Sequence, residues 1–255
     1  MAAEPAVRRL RVEGHDVGLR TAGAGPGVVL VHGIGASGRY FERLAAELAA
    51  DHRVHTAELP GHARLRAPGH ALTMSGYAAV LVEALRRADV GPVQLVGHSM
   101  GCQVVVEAAI QAPELVSSLV LLGPTVNDAE RSGPLQALRL GQDTLRESPA
   151  VNRIVFSDYL RAGPRWYLTT LPRMIRHRLE ERLPLVDCPV ALVRGERDPV
   201  VPRDWIERLA QARPGTLAGE VPGEPHVMMW RRPAETARWC RRLEAEAEAD
   251  SEAGR

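Results

Sequence analysis

Apolar positions along this chain follow two alternating rhythms. Short runs that are apolar nearly throughout recur at 27–33 ("GVVLVHG"), 53–59 ("RVHTAEL"), 92–99 ("PVQLVGHS"), 116–123 ("VSSLVLLG") and 188–198 ("CPVALVRGERD"). Runs of that length are expected of strands covered on both faces of a sheet. Between them the apolar residues fall three and four apart, the spacing of a helix with one buried face. Such helices are expected from about 39 to 50 with Phe41, Leu44, Ala45 and Leu48 inward, and to about 87 with Val80, Leu81 and Leu85 inward. Thr73 or Ser75 can cap the second. "MGCQVVVEAAIQA", 203–212 and 233–247 complete the set, and 10–23 and 215–223 add strands.

Strand and helix in alternation predict an α/β fold with a mostly parallel sheet of eight strands and helices on both faces. The rhythm breaks between 124 and 187, where only helical pieces divided by Gly and Pro occur. In the last of these, 170–183, Thr170 is placed as cap and Pro172 in the first turn. The expected organisation is therefore one core from 1–123 and 188–245, a helical insertion at 124–187, and a charged, apolar-poor tail at 246–255 that is expected to be disordered.

Composition narrows the chemistry. With 255 residues, 45% hydrophobic and 25% charged, the chain is an ordinary globular one. Its net charge of +1 gives no reason to expect a nucleic acid or membrane partner. No run approaches a membrane span, and "MAAEPAVRRLRVEG" has no apolar core for a signal peptide, so a cytoplasmic location is expected. The three cysteines, Cys102, Cys188 and Cys240, are far apart, arguing against disulfides and a zinc site, and no metal is expected. All 32 basic residues are arginine. Schiff-base chemistry, Ser–Lys dyads and Walker-type phosphate loops, each of which needs a lysine amine, are thereby excluded.

Two glycine motifs remain. "HGIGASG" (32–38) contains G-x-G-x-x-G between a strand and a helix, with Glu58 about twenty residues on, as in a dinucleotide-binding loop. Gly97-His98-Ser99-Met100-Gly101 is G-x-S-x-G, also between strand and helix. That setting makes it a nucleophile elbow: a turn so sharp that its flanking positions tolerate no side chain, with the Ser99 hydroxyl at a helix N-terminus.

With this elbow the sequence resembles the α/β-hydrolase family, from about 10 to 242: "HGIG", "LPGHA", "GHSMG", "GERDPVVP" and "PGEPH" follow in order. The resemblance implies a cap domain formed by the insertion, and a triad in the order Ser, Asp, His. Ser99, Asp198 and His226 would fill it, Asp128 being a rarer placement of the acid and Glu196 a neighbour of Asp198. Gly33 and Gly35 would let the backbone approach the substrate, and the backbone N–H groups of Ile34 and Met100 would hold an oxyanion. The dinucleotide reading leaves the ordered triad unexplained, so no cofactor is expected. A small-molecule acyl substrate, an ester, lactone or thioester, is implied, with the rate rising through a histidine pKa near 6 to 7.

C–C bond hydrolases share the "HGIGASG" and "SMG" patterns but usually carry Trp where this chain has Val227. A non-hydrolytic enzyme or a ligand-binding protein on the same fold is a further alternative. His32, His62 and His98 fit loop-shaping turns. Trp166 and Tyr167 are expected to contact substrate, beside a possible anion subsite of Arg161, Arg165, Arg173, Arg176 and Arg178. Ala63 stands where the family commonly has glycine.

Overall fold

The computed structural model describes residues 7–253. Eight strands form one sheet: β1 (Val7–Val12), β2 (His15–Ala22), β3 (Gly27–Val31), β4 (Arg53–Glu58), β5 (Val93–His98), β6 (Val116–Leu122), β7 (Val190–Gly195) and β8 (Leu217–Val221). Their spatial order is β1-β2-β4-β3-β5-β6-β7-β8. β2 pairs antiparallel to β1 on one side and to β4 on the other, and every other pair is parallel. Ten helices accompany them among the described residues: α1 (Glu42–Leu48), α2 (Met74–Arg87), α3 (Met100–Gln111), α4 (Gly133–Arg146), α5 (Pro149–Ala162), α6 (Pro164–Arg176), α7 (Leu179–Arg182), α8 (Arg203–Ala212), α9 (Met228–Arg231) and α10 (Pro233–Ala253).

The apolar strands feed two cores because successive side chains leave a strand on opposite faces. Val29, Leu95, Leu121 and Leu192 join Tyr77, Leu81, Val104 and Trp205 from α2, α3 and α8 on one side. Val28, Leu30, Val96, Val120 and Val193 join Phe41, Leu44, Cys240 and Leu243 from the 3-10 turn before α1, α1 and α10 on the other. Every central strand is thus apolar on both faces, which is the pattern read from the sequence.

Strand order also locates the site. From β3 the chain runs to β4 on one side and then crosses to β5 on the other. The loops after β3 and β5 therefore diverge and leave a crevice at the carboxyl edge, the usual ligand position in such sheets. The loop after β3 carries Gly33 and Ile34; the one after β5 is the serine turn.

Two boundaries differ from expectation. In the insertion, α6 begins at Pro164, not at Thr170, because Gly163, at φ +85°, ends α5 and the following proline starts a new helix. Pro172 accordingly lies inside α6, and Thr170 is buried rather than capping. Cap geometry at α2 selects Thr73, whose Oγ accepts the Gly76 N–H at 3.0 Å. The tail expected to be disordered from 246 continues α10 as far as Ala253, while 254 and 255 lie outside the described residues. Alanine and glutamate, which make up most of this run, both favour helix.

Candidate active site

Ser99 sits at φ +55°, ψ −121°, between β5 and α3. Such left-handed backbone costs a non-glycine residue about 1–3 kcal/mol and persists only where surroundings enforce it. Enforcement comes from the Ser99 N–H bonding to the Leu122 carbonyl and the Cys102 N–H to the Ser99 carbonyl, both at 3.0 Å. The flanking glycines are steric requirements. A Cβ on Gly97 would lie 2.6 Å from the Gly101 carbonyl oxygen, and one on Gly101 would lie 2.1 Å from that of Val31.

Asp198 follows β7, with Oδ1 accepting the Val200 and Val201 N–H groups at 2.8 and 3.1 Å. Its Oδ2 lies 2.7 Å from Nδ1 of His226, in the loop after β8. Gly123, at φ +55°, makes room for the imidazole: a Cβ there would stand 2.8 Å from Cε1. Nε2 of His226 makes no hydrogen bond among the described residues. Ser99 and His226 line the same cavity, of about 640 Å³. The acid and the imidazole are thus in direct contact and the serine shares the cavity of the imidazole, but no hydrogen bond joins Ser99 Oγ to Nε2. Asp128 is elsewhere, paired with Arg208 at 2.7 Å. Glu196 accepts the Gly223 N–H at 2.6 Å.

A buried polar chain connects the loop after β3 to His226. The Gly33 N–H donates to the Tyr40 hydroxyl at 2.6 Å, and that hydroxyl lies 3.0 Å from Nδ1 of His98. Nε2 of His98 lies 3.0 Å from the His226 carbonyl oxygen. A carbonyl only accepts, so His98 carries its proton on Nε2, and Nδ1 accepts from the phenol. Burial, then the neighbouring His226, holds the His98 pKa well below its ordinary value, which keeps this tautomer neutral. His32 is likewise neutral, brought down to about 4 by burial. Its Nδ1 lies 2.9 Å from the Gly33 carbonyl oxygen while Nε2 accepts the Leu59 N–H at 3.1 Å.

Ile34 and Gly33 line the cavity. No hydrogen bond uses the Ile34 or Met100 N–H among the described residues. Gly35, at φ +69°, sits under two tyrosines: a Cβ would lie 2.6 Å from Tyr159 and 3.0 Å from Tyr167. Glu58, the acid a dinucleotide loop would offer to ribose, is turned inward, both oxygens accepting the Gly38 N–H at 3.1 Å. Burial raises its pKa to about 7.

The insertion corrects several expectations. Tyr167 lines the cavity, but Trp166 does not. Adjacent positions on a helix point about 100° apart, so when Tyr167 faces the cavity Trp166 turns to the core, where it covers Gly61. None of the five arginines of the expected anion subsite lines the cavity. Arg161 instead pairs with buried Asp158 at 2.9 Å and Arg178 with Glu181 at 3.4 Å. The wall facing Ser99 is largely apolar, with Leu140, Val151, Val155, Phe156 and Tyr159.

Two residues escaped the sequence reading. Asp143 and Glu147, on and just after α4, are buried on the cavity wall. Asp143 Oδ1 accepts the His226 N–H at 3.0 Å, and Glu147 Oε1 accepts the Val227 N–H at 2.7 Å. Burial raises Asp143 to about 6; burial and then the Asp143 charge raise Glu147 to about 8. Burial alone would lower His226, but the Asp198 charge and hydrogen bond, then Asp143 and Glu147, outweigh it and bring it up to about 9. No local signal marks the two acids, since carboxylates four apart on a helix normally lie on a solvated face.

Among the described residues, no group of three His, Cys, Asp or Glu side chains could hold a metal, and no helix is long and apolar enough to cross a membrane.

The switch-point crevice, the serine turn after β5 and the acid–imidazole contact define a hydrolase-type α/β architecture. The chain belongs to the alpha/beta hydrolase family, whose model matches residues 28–239. It is 31% identical over 145 residues to an uncharacterised protein of Mycobacterium tuberculosis, a match covering 56% of this chain but only 42% of that relative. A pimeloyl-[acyl-carrier protein] methyl ester esterase of Methylococcus capsulatus is 29% identical over 251 residues, covering 86% of this chain and 95% of the relative. The crystal structure of a bacterial membrane phospholipase A superposes with TM-score 0.82 at 21% identity, over 96% of this chain and 87% of that one. At that identity the likeness speaks for the fold alone.

Proposed function

We propose that this protein is a serine hydrolase that cleaves a carboxylic ester, lactone or thioester through an acyl-enzyme. The observation that carries this reading is the 2.7 Å contact of Asp198 with Nδ1 of His226, whose Nε2 has no partner among the described residues, while His226 and Ser99 line one cavity. The carboxylate holds the Nδ1–H tautomer, leaving Nε2 as the base. The step requires Ser99 Oγ to come to Nε2; catalytic hydrogen bonds in ligand-free sites are often loose and tighten on substrate. Ser99 then attacks the acyl carbonyl as Nε2 takes its proton. The N–H groups of Ile34 and Met100, without other partners among the described residues, stabilise the oxyanion, with the N-terminus of α3 adding its dipole. His226 returns the proton to the leaving group, and water releases the acid by the same route.

The apolar wall favours a neutral, apolar acyl group of moderate size, and none of the five arginines that would have served an anionic substrate lines the cavity. The relative from Methylococcus capsulatus, named for a methyl ester substrate, agrees with ester cleavage.

Turnover of p-nitrophenyl esters of graded chain length, extended to lactones and acyl thioesters, tests the reading. Ser99→Ala is expected to lower kcat by about 10⁴-fold or more. Wild-type turnover in that variant, or failure of a fluorophosphonate to label Ser99, would contradict it.

A further inference from the structure

The loop bearing His226 is gripped from two directions. On the core side, His98 donates to the His226 carbonyl oxygen at 3.0 Å and the Arg197 N–H to the Glu224 carbonyl oxygen at 2.9 Å. On the other side stand Asp143 and Glu147 of the insertion, each accepting one of two successive backbone N–H groups. Both residues are more than nine-tenths buried, at 6% and 7% exposed. Burying carboxylates beside an apolar cavity is costly, and a neutral acceptor would satisfy the same N–H groups. Their presence calls for a function that charge and reach together provide.

Spacing gives them that reach. Four residues apart, they project from one helix face, so α4 presents both acceptors to residues 226 and 227 at once. The groups that face His226 are Asp198 after β7, Asp143 and Glu147 from the insertion, and the His98 ring at 4.6 Å between centroids. Arg146 bears on Asp143 from outside, its guanidinium donating to the Arg197 carbonyl oxygen at 2.8 Å.

We propose that Asp143 and Glu147 are positioning residues for His226, by which the helical insertion sets the placement and basicity of the base and does not merely cover the cavity. The proposal rests on reading His226 as the base. It follows that any displacement of α4 removes both backbone acceptors, so the base is correctly held only while the insertion is seated.

The test compares two double variants with wild type. Asp143→Ala with Glu147→Ala deletes both acceptors; Asp143→Asn with Glu147→Gln keeps a carbonyl at each position and removes only charge. Three readouts are taken across pH 5 to 10: kcat and KM for a short-chain p-nitrophenyl ester, the rate of fluorophosphonate labelling of Ser99, and imidazole NMR of His226 assigned with His226→Gln. The alanine pair is expected to lose about tenfold to a hundredfold in kcat, the equivalent of one to two lost buried hydrogen bonds, with a much smaller change in KM. The amide pair should recover most of that loss, yet shift both the rise of kcat with pH and the His226 titration to lower pH, since nearby negative charge favours the imidazolium. Wild-type kcat and an unmoved titration in both pairs would overturn the proposal and leave the hydrolase reading intact. If the alanine pair fails to fold, the near-isosteric amide pair decides through the titration alone. A wild-type protein with neither ester turnover nor labelling is a different result: it overturns the hydrolase reading, and this proposal with it.

Discussion

Replacing Gly123 by alanine should slow the reaction as well as destabilise the fold. The position has φ +55°, and a Cβ built on it lies 2.8 Å from Cε1 and 3.0 Å from Nδ1 of His226. Ordinary carbon–carbon contact is about 3.5–4 Å, so the ring must retreat by roughly 0.7 Å or more. It has little freedom to do so, because Asp198 holds Nδ1 at 2.7 Å and His98 and Asp143 hold its backbone. Left-handed backbone costs alanine about 1–2 kcal/mol, and the stiffer unfolded chain returns about 0.4–1 kcal/mol. Crowding adds about 1–3 kcal/mol if the loop yields. A misplacement near 1 Å costs about 10²-fold in rate. The expected result is therefore a folded enzyme with kcat reduced about 10- to 100-fold per active site. The assay counts active sites with a fluorophosphonate and measures ester turnover at 25 °C, so lost protein is not mistaken for lost chemistry. Gly14→Ala is the control: φ is +83° but nothing lies within 4 Å, so strain should appear in Tm without a change in kcat. A Gly123→Ala enzyme with wild-type kcat would refute the argument, because the imidazole would then have slack that the geometry denies it.

Ala63 holds φ +55°, so the backbone demanded by a common glycine position is kept without the glycine. Ala63→Gly should stabilise the fold by up to about 1 kcal/mol, read as a Tm rise of about 2–4 °C. Glu147 has its pKa raised from 4.5 to about 8, so its contribution is fully present below about pH 4.5 and is lost as pH rises through 8. His226, raised to about 9, adds a loss in the same direction above its unfolded value of 6.5. Glu147→Gln should therefore gain stability relative to wild type between pH 5 and pH 9, by an amount on the order of a few kcal/mol. Denaturant titrations at the two pH values check this, and an equal difference at both would count against a protonated Glu147.

Much of the architecture is legible because its causes are local. Strand period, helix period and the glycines of a tight turn each act over a few residues, and "VGHSMG" carries its own steric explanation. The elbow, the strand alternation and the position of the insertion all follow from such patterns. Helix boundaries within the insertion were less legible, since Pro172 looks like a start signal until Gly163-Pro164 is seen to supply a stronger one.

Pairings across the chain are another matter. Asp198 and Asp128 are both acids placed after apolar strands, and neighbouring sequence does not say which meets His226; the position of β7 beside β8 does. Trp166 and Tyr167 are equally plausible cavity residues until the rotation of α6 is known. The arginines of the insertion could face an anion or solvent, and Asp143 and Glu147 look like an ordinary solvated pair. What the sequence by itself determined is the set of elements and the serine turn, because those depend on short-range sterics and periodicity. Only the tertiary structure decided which charges are buried and which groups touch, because burial and contact depend on how the insertion packs against a loop eighty or more residues away.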